Sequence, residues 1–442
     1  MKKFFIETYG CQMNFADSEI LASILTADGY TPIDDYKKAD LILVNTCSIR
    51  DHAEQRVFNR LNEFSSLKKR SPHVKIGIVG CMAERLKEHL LEEQLQVDLV
   101  AGPDAYRSLP LLLAQVEDGQ KGINTILSES ETYDDIKPVK TDTNGVTAFI
   151  SIMRGCENFC AYCVVPYTRG KERSRNAETI IDEARLLFEQ GYREITLLGQ
   201  NVNSYKCGTV GFPQLIAQVA EINSQLRVRF ATSHPKDISD ELLTVIAQYD
   251  NVCKSIHLPV QSGSDATLQK MNRKYTRQWY LNRIEAIKRI IPDCTISTDI
   301  IAGFCGETEK DHNDTLTLMR EVGYSSAFMF KYSERPDTFA AENYKDDVPE
   351  EIKLRRLNEI INLQRELSLA SNEKETGLIR EILIEGVSRR NLLQSYGRTS
   401  QNKVVVFDNP AQIKAGVYAN VKILRCTPAT LIGELTQSRA HR

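Results

Sequence analysis

Apolar residues recur along this chain in short runs, each followed by a stretch in which they return every three or four positions. Residues 4–8 read as a strand, and residues 18–27 as a helix with Ile20, Leu21, Ile24 and Leu25 on one face. A second strand signal covers 41–46 and is followed by a helical stretch over 52–67. Residues 76–79 and 97–100 repeat the pattern, with helices running to 91 and to about 117. This alternation predicts a doubly wound α/β domain on a parallel sheet over residues 1–118. Residues 119–146 are polar and without period, and read as an interdomain linker.

A second series of strand and helix signals then begins. Its strands are expected at 147–153, 194–198, 227–232, 252–258, 295–301 and 326–332, with helices between them that include 177–190 and 279–290. Six such repeats suit a partial (β/α)6 barrel, whose functional groups belong at the C-terminal strand ends. Residues 349–377 are charged and helical, with Leu354, Leu357, Ile360, Ile361 and Leu363 as an apolar stripe, and close a second domain at 147–375. Short β-rich runs follow at 379–384, 403–407, 417–424 and 431–435. They predict a small β-barrel over 376–440, of the kind that binds RNA.

Length and composition agree with a three-domain globular protein. The chain has 442 residues, 42% hydrophobic and 26% charged. No apolar stretch reaches the ~18 residues of a membrane span. The start reads as a strand and not a signal peptide, so a cytoplasmic protein without membrane attachment is expected. Eleven cysteines are too sparse and irregular for a disulfide scaffold, and suit metal ligands or buried thiols. The net charge of −3 argues against nucleic acid, but its distribution does not. Residues 378–442 hold ten Lys and Arg against four Asp and Glu; the preceding residues hold forty-six against fifty-five. A basic tail on an acidic body points to local phosphate contact, with a plain solvated surface as the competing view.

The thiols carry the chemistry. In Cys156-Glu157-Asn158-Phe159-Cys160-Ala161-Tyr162-Cys163, three thiols wrap one short loop. Three ligands on a four-iron cubane leave one iron open to a chelating cofactor, whereas ferredoxin patterns close the cluster with four. A zinc site usually needs two paired ligand sets, and no second Cys-x-x-Cys or His pair exists. This spacing is the mark of the radical S-adenosylmethionine enzymes. Cys11, Cys47 and Cys81 each follow one of the first three strands. Right-handed crossovers put those strand ends on one edge, so these thiols are a second candidate triad.

With the runs Thr8-Tyr9-Gly10-Cys11-Gln12-Met13-Asn14 and Asn45-Thr46-Cys47-Ser48-Ile49-Arg50, the whole chain resembles the methylthiotransferases of the radical S-adenosylmethionine class. Within them it resembles the branch that modifies N6-dimethylallyladenosine on the 3′ side of the tRNA anticodon. The resemblance implies an N-terminal doubly wound α/β domain, a central TIM-like radical-SAM barrel and a C-terminal TRAM barrel. It implies two [4Fe-4S] clusters, on Cys156, Cys160 and Cys163 and on Cys11, Cys47 and Cys81, and two uses of S-adenosyl-L-methionine. One use supplies methyl to a sulfur at the N-terminal cluster. The other yields a 5′-deoxyadenosyl radical that takes hydrogen from carbon 2 of the adenine.

Implied cofactor contacts are Gly199, Gln200 and Asn201 after the second barrel strand, Gln261, and Ser297, Thr298 and Asp299, each with strand-end capping as the alternative. Arg169, Lys171, Arg173 and Arg175 are expected to meet cofactor or phosphate, or to form a solvated loop. His234 and His257 read as core histidines. Implied partners are the tRNA anticodon arm, a flavodoxin- or ferredoxin-type electron donor and an iron–sulfur carrier protein, with the chain a monomer. The sequence departs from the family pattern at Phe304-Cys305-Gly306-Glu307-Thr308 and in the run from Tyr332 to Thr338, where Cys305 reads as a tolerated small residue. Alternatives are the same chemistry on threonylcarbamoyladenosine tRNA or a ribosomal protein, and an RNA-binding iron–sulfur redox sensor.

Overall fold

Alternating apolar strands build the first domain in the computed structural model, which describes residues 1–48, 51–92, 95–140 and 144–436. In chain order its elements are β1 (Lys3–Thr8), α1 (Gln12–Ala27), β2 (Thr31–Pro32), β3 (Leu41–Thr46), α2 (Asp51–Arg70), β4 (Lys75–Gly80), α3 (Cys81–Leu86), β5 (Leu99–Ala101), α4 (Leu109–Glu117) and β6 (Gly122–Asn124). The six strands are parallel, in the order β2-β1-β3-β4-β5-β6. Leu41 and Leu43 of β3 pack under Ile20, Leu21 and Leu25 of α1 and Leu112 and Leu113 of α4. Ile42 and Val44 pack on the other side with Val57, Leu61 and Phe64 of α2. One strand thus feeds two apolar layers, as a doubly wound sheet requires. The strand order reverses between β1 and β3, the place where such sheets bind ligands.

The segment read as a linker does more than connect. It supplies β6, and Tyr133 from it is buried, stacks on Tyr106 at 5.6 Å and donates its hydroxyl to the Pro103 carbonyl.

The second domain comprises β7 (Thr147–Ser151), β8 (Met153–Arg154), α5 (Val165–Arg169), β9 (Arg173–Ser174), α6 (Ala177–Glu189), β10 (Glu194–Leu198), β11 (Lys206–Cys207), β12 (Val210–Gly211), α7 (Phe212–Ala220), β13 (Arg227–Ala231), α8 (Asp240–Gln248), β14 (Ser255–His257), α9 (Asp265–Lys270), α10 (Arg277–Ile290), β15 (Thr295–Ala302), α11 (Glu309–Val322), β16 (Ser326–Lys331), α12 (Phe339–Asn343) and α13 (Glu350–Glu373). Parallel pairing runs β7-β10-β13 and β14-β15-β16, and a bridge from Val228 to Val252 joins the two sets. The result is a six-stranded partial barrel, open between β7 and β16. Ile150, Ile195, Leu197, Val228, Ile256, Ile296 and Ile300 face the outer helices.

The tail forms a closed five-stranded barrel from β17 (Ile379–Val387), β18 (Gln394–Thr399), β19 (Val404–Asp408), β20 (Tyr418–Cys426) and β21 (Leu431–Leu435). The turn after β18 lies against the N-terminal ends of the larger barrel's strands. Arg227 and Arg229 donate to the Arg398 and Thr399 carbonyls at 2.7 Å, and Thr295 donates to the Gln401 carbonyl at 2.8 Å. Among the described residues no helix is long and apolar enough to cross a membrane.

Candidate active site

Cys11 caps the N-terminus of α1, Cys47 follows β3, and Cys81 opens α3 directly after β4. Three neighbouring strands therefore deliver three thiols to one edge, two of them flanking the switch point. Close approach depends on Gly10: its φ is +130°, and a Cβ there would stand 2.5 Å from the Cys47 Cβ. Buried Asn14 and Asn45 lock the elbow. Asn14 donates to the Asn45 side chain (3.1 Å) and the Thr46 carbonyl (3.0 Å), and Asn45 donates back to the Asn14 carbonyl (2.8 Å). A hydrogen bond with Cys47, helped by Arg169, lowers the Cys11 thiol to about 6 against the opposing effect of burial. Ile49 and Arg50 of the second motif lie outside the described residues.

The second triad sits on the loop from β8 to α5. Gly155 has φ +81°, and any side chain there would collide with the Lys171 carbonyl. Backbone bonds hold the loop from several directions: Cys156 to Gly170 (3.1 Å), Ala161 to Met271 (3.0 Å) and Cys163 to Cys160 (2.9 Å). Beneath it, Cys305 packs with Ala161, Met271, Phe304 and Tyr332 as an apolar neighbour. Burial pushes Cys156 up to about 11 and raises Cys163 as well.

A buried guanidinium reaches a sulfur of each triad. Arg169 donates through Nε to the Cys81 sulfur at 3.2 Å, and Arg273 donates to the Cys160 sulfur at 3.3 Å. Arg169 comes from the barrel and Cys81 from the N-terminal domain, so this contact crosses between them. Beside it, Asp17 binds Arg154 and Arg169, each at 2.7 Å, with all three side chains buried. Asp104 takes Arg173 at 2.8 Å. The loop read as phosphate-binding is thus mainly an interdomain clasp. Lys171 alone of its four cations is exposed, paired with Glu129.

Among the described residues, no three His, Cys, Asp or Glu side chains converge as a single metal ion requires. A cubane places each cysteine on a different iron, so it does not ask three thiols to meet at one point. N–H donors aimed at sulfur suit thiolate ligands of such a cluster.

The expected cofactor residues divide by placement. Ser297 and Asp299 face the barrel interior with His257, which bonds Ser297 Oγ at 3.0 Å and Asp299 at 3.3 Å. Gln261 bridges to β15, with φ +73°. Thr298 lies on the opposite face of β15, fully buried, its hydroxyl bonded to the Leu258 carbonyl at 3.0 Å. Both ends of the Asn201 amide are engaged, with Asp237 and the His234 N–H. Arg175 is bound by Asp134, Glu183 and the Ser151 carbonyl. These three serve as braces. Gly199 is buried against Met153.

Sequence reasoning missed a cup of buried polar atoms at the strand ends. Ser151 Oγ, Gln200 Oε1, Ser233 Oγ and both amide atoms of Asn203 have no hydrogen-bond partner within the described protein. Buried polar groups are nearly always bonded, so such a cup suits a polar ligand. Only Gln200 was visible beforehand, from its place after β10.

Comparison with known proteins agrees with this architecture. Residues 3–102 match the uncharacterized protein family UPF0004, 150–319 the radical SAM superfamily and 373–436 the TRAM domain. The chain is 56% identical to the tRNA-2-methylthio-N(6)-dimethylallyladenosine synthase of Amoebophilus asiaticus, covering 98% of this chain and 92% of that one. It is 57% identical to the enzyme of the same name from Bacteroides fragilis, over 98% and 95%. Among solved structures, the radical S-adenosylmethionine methyltransferase TsrM from Kitasatospora setae shares the fold. Its TM-score is 0.60 at 14% identity, over 77% of this chain and 75% of that one. With identity of this order over nearly the full length of both proteins, the chain belongs to the tRNA-2-methylthio-N(6)-dimethylallyladenosine synthases.

Proposed function

We propose that this chain transfers a methylthio group to carbon 2 of N6-dimethylallyladenosine beside the tRNA anticodon, with S-adenosyl-L-methionine as methyl donor and radical source. The observation that carries this reading is the pair of thiol triads in adjoining domains, joined through Arg169 and Asp17. When bound, one [4Fe-4S] cluster on each triad supplies the reducing electron and the sulfur.

The protein's part is holding and orienting. Cys156, Cys160 and Cys163 hold one cluster beside the polar cup, where Ser151, Gln200, Asn203 and Ser233 bind the polar ends of the cofactor. Ser297 and Asp299 face the same interior and accept from ribose hydroxyls. Cys11, Cys47 and Cys81 hold the second cluster at the switch point of the N-terminal sheet. Exposed Arg389, Arg390, Lys414, Lys422 and Arg425 of the tail barrel contact tRNA phosphates, which positions the arm without reading its sequence. Arg380, Arg398 and Lys403 are already held by Glu375 and Glu385 and leave that group. A flavodoxin- or ferredoxin-type donor, an iron–sulfur carrier and the cytoplasm complete the setting.

Nucleoside analysis of tRNA tests this reading. A strain lacking the chain is expected to accumulate N6-dimethylallyladenosine without its methylthio derivative, and complementation restores it. Loss of the methylthio form of threonylcarbamoyladenosine in its place would reassign the substrate.

Arg169 is a positioning residue in this scheme. Arg169→Gln removes a cationic donor from a thiolate, which favours the less negative oxidised cluster. The midpoint potential of the N-terminal cluster is expected to fall by on the order of 50 mV, the equivalent of about 1 kcal/mol for one electron. Arg169→Lys keeps the charge and recovers part of the shift. Potentiometry that finds the potential unmoved would leave Arg169 only its structural bond to Asp17.

A further inference from the structure

We propose that the inner face of β16, centred on Phe328, is the seat of the dimethylallyl-bearing adenine. The assignment rests on transfer to a prenylated adenine, and it names the protein surface that selects the prenyl group.

The register of β15 and β16 sets out the surface. Asp299 pairs with Phe328 and Ile301 with Phe330, so both rings share the face of β15 that carries Ser297 and Asp299. Ala327 and Met329 alternate to the other face, where Met329 packs on the helical core. Phe328 is 57% exposed and Phe330 37% exposed, although both sit inside the concave side of the sheet. The neighbouring inward residues His257, Ser297 and Asp299 are polar. His257 meets the Phe328 ring edge-on, 5.8 Å between centroids, and Ser297 and Asp299 fix the imidazole in turn. Phe328, held in place by a polar network and yet exposed, is a built stacking surface and not loose core packing.

Its location specifies the occupant. β16 is the edge strand at the barrel's open side, so a base turned out of an RNA stem reaches it without threading the barrel. A planar purine with a branched five-carbon apolar substituent matches this surface: the ring stacks, and the substituent covers apolar area that water would otherwise wet. Unmodified adenine offers only the ring.

The test uses two anticodon stem-loop RNAs, identical except for N6-dimethylallyladenosine or adenosine at the target position. Both are titrated onto holoenzyme with S-adenosyl-L-methionine present, using wild type, Phe328→Ala and Phe328→Leu, each with unaltered iron content. Wild type is expected to favour the prenylated RNA by about tenfold or more, the scale of an apolar group of this size in a fitted pocket. Phe328→Ala removes most of that advantage and changes affinity for the unmodified RNA much less; Phe328→Leu retains part of it. Equal losses on both RNAs, or no loss, overturn the proposal. Weaker binding of S-adenosyl-L-methionine in the absence of RNA also overturns it, by giving the surface to the cofactor's own adenine. If wild type methylthiolates neither tRNA, the reaction assignment fails; if it does while Phe328→Ala discriminates undiminished, only the seat fails.

Discussion

Cys81→Ala is expected to separate the two halves of the reaction. After anaerobic reconstitution, iron per chain falls by about half while 5′-deoxyadenosine is still released from S-adenosyl-L-methionine. The methylthio nucleoside falls by at least about 100-fold, since even outer-shell partners of a metal ligand cost 10–100-fold. The physical ground is the separation of the triads in the fold. Cys81 opens α3 beside Cys11 and Cys47, and takes no part in the loop from β8 to α5. Arg169 loses its sulfur acceptor in the variant but keeps Asp17, so the clasp between the domains survives. Cys160→Ala is the counterpart and is expected to abolish 5′-deoxyadenosine and product together, leaving the N-terminal cluster's iron in place. Iron analysis, visible absorption and product assays on both variants check the scheme. A Cys81→Ala protein with full iron and full product removes the N-terminal triad from the chemistry.

The placement of the six cysteines, three after neighbouring strands and three on one loop, is legible in the sequence because spacing and strand position are both local. β3 and β10 match the expected bounds for the same reason: each is an apolar run with polar residues on either side. The start of α1 is hidden. The helix begins at Gln12, but its first turns bury Asn14, Asp17, Ser18 and Glu19, polar residues that break the apolar period. Those residues are buried because they build the elbow and the clasp, so the pattern fails where the site begins. β18 is missed because Ser395, Gly397 and Thr399 face inward and are small or polar. The arginines on sulfur are illegible for another reason. Arg169 and Cys81 are 88 residues apart, Arg273 and Cys160 113 apart, and neither pair has a local signature. Thr298 and Asp299 differ only in which face of β15 they occupy, and the strand's period shows the alternation without saying which face is inside.

Asp17→Ala is expected to loosen the N-terminal domain from the barrel more than any other single exchange. Asp17 is fully buried and holds Arg154 and Arg169, each at 2.7 Å, so its removal strands two guanidiniums in a dry interface. Breaking a buried ion pair from one side typically costs 3–5 kcal/mol. Arg154 keeps partial relief from Asp104 at 3.8 Å, the Pro103 carbonyl at 3.2 Å and the Tyr133 ring at 4.8 Å. Arg169 keeps the Cys81 sulfur. The first thermal transition is therefore expected to drop by on the order of 10 °C. Asp17→Asn retains two acceptor or donor positions without charge and falls between the variant and wild type. The functional consequence follows from geometry. Both triads remain intact within their own domains, so iron content and 5′-deoxyadenosine release persist while the methylthio product is lost, because the radical and the sulfur no longer face one adenine at a fixed distance. Calorimetry with product assays reads both effects. An Asp17→Ala protein that melts within about 1 °C of wild type would show the domains to be held by other contacts, and the Lys140–Glu19 pair at 2.8 Å would then be the next to remove.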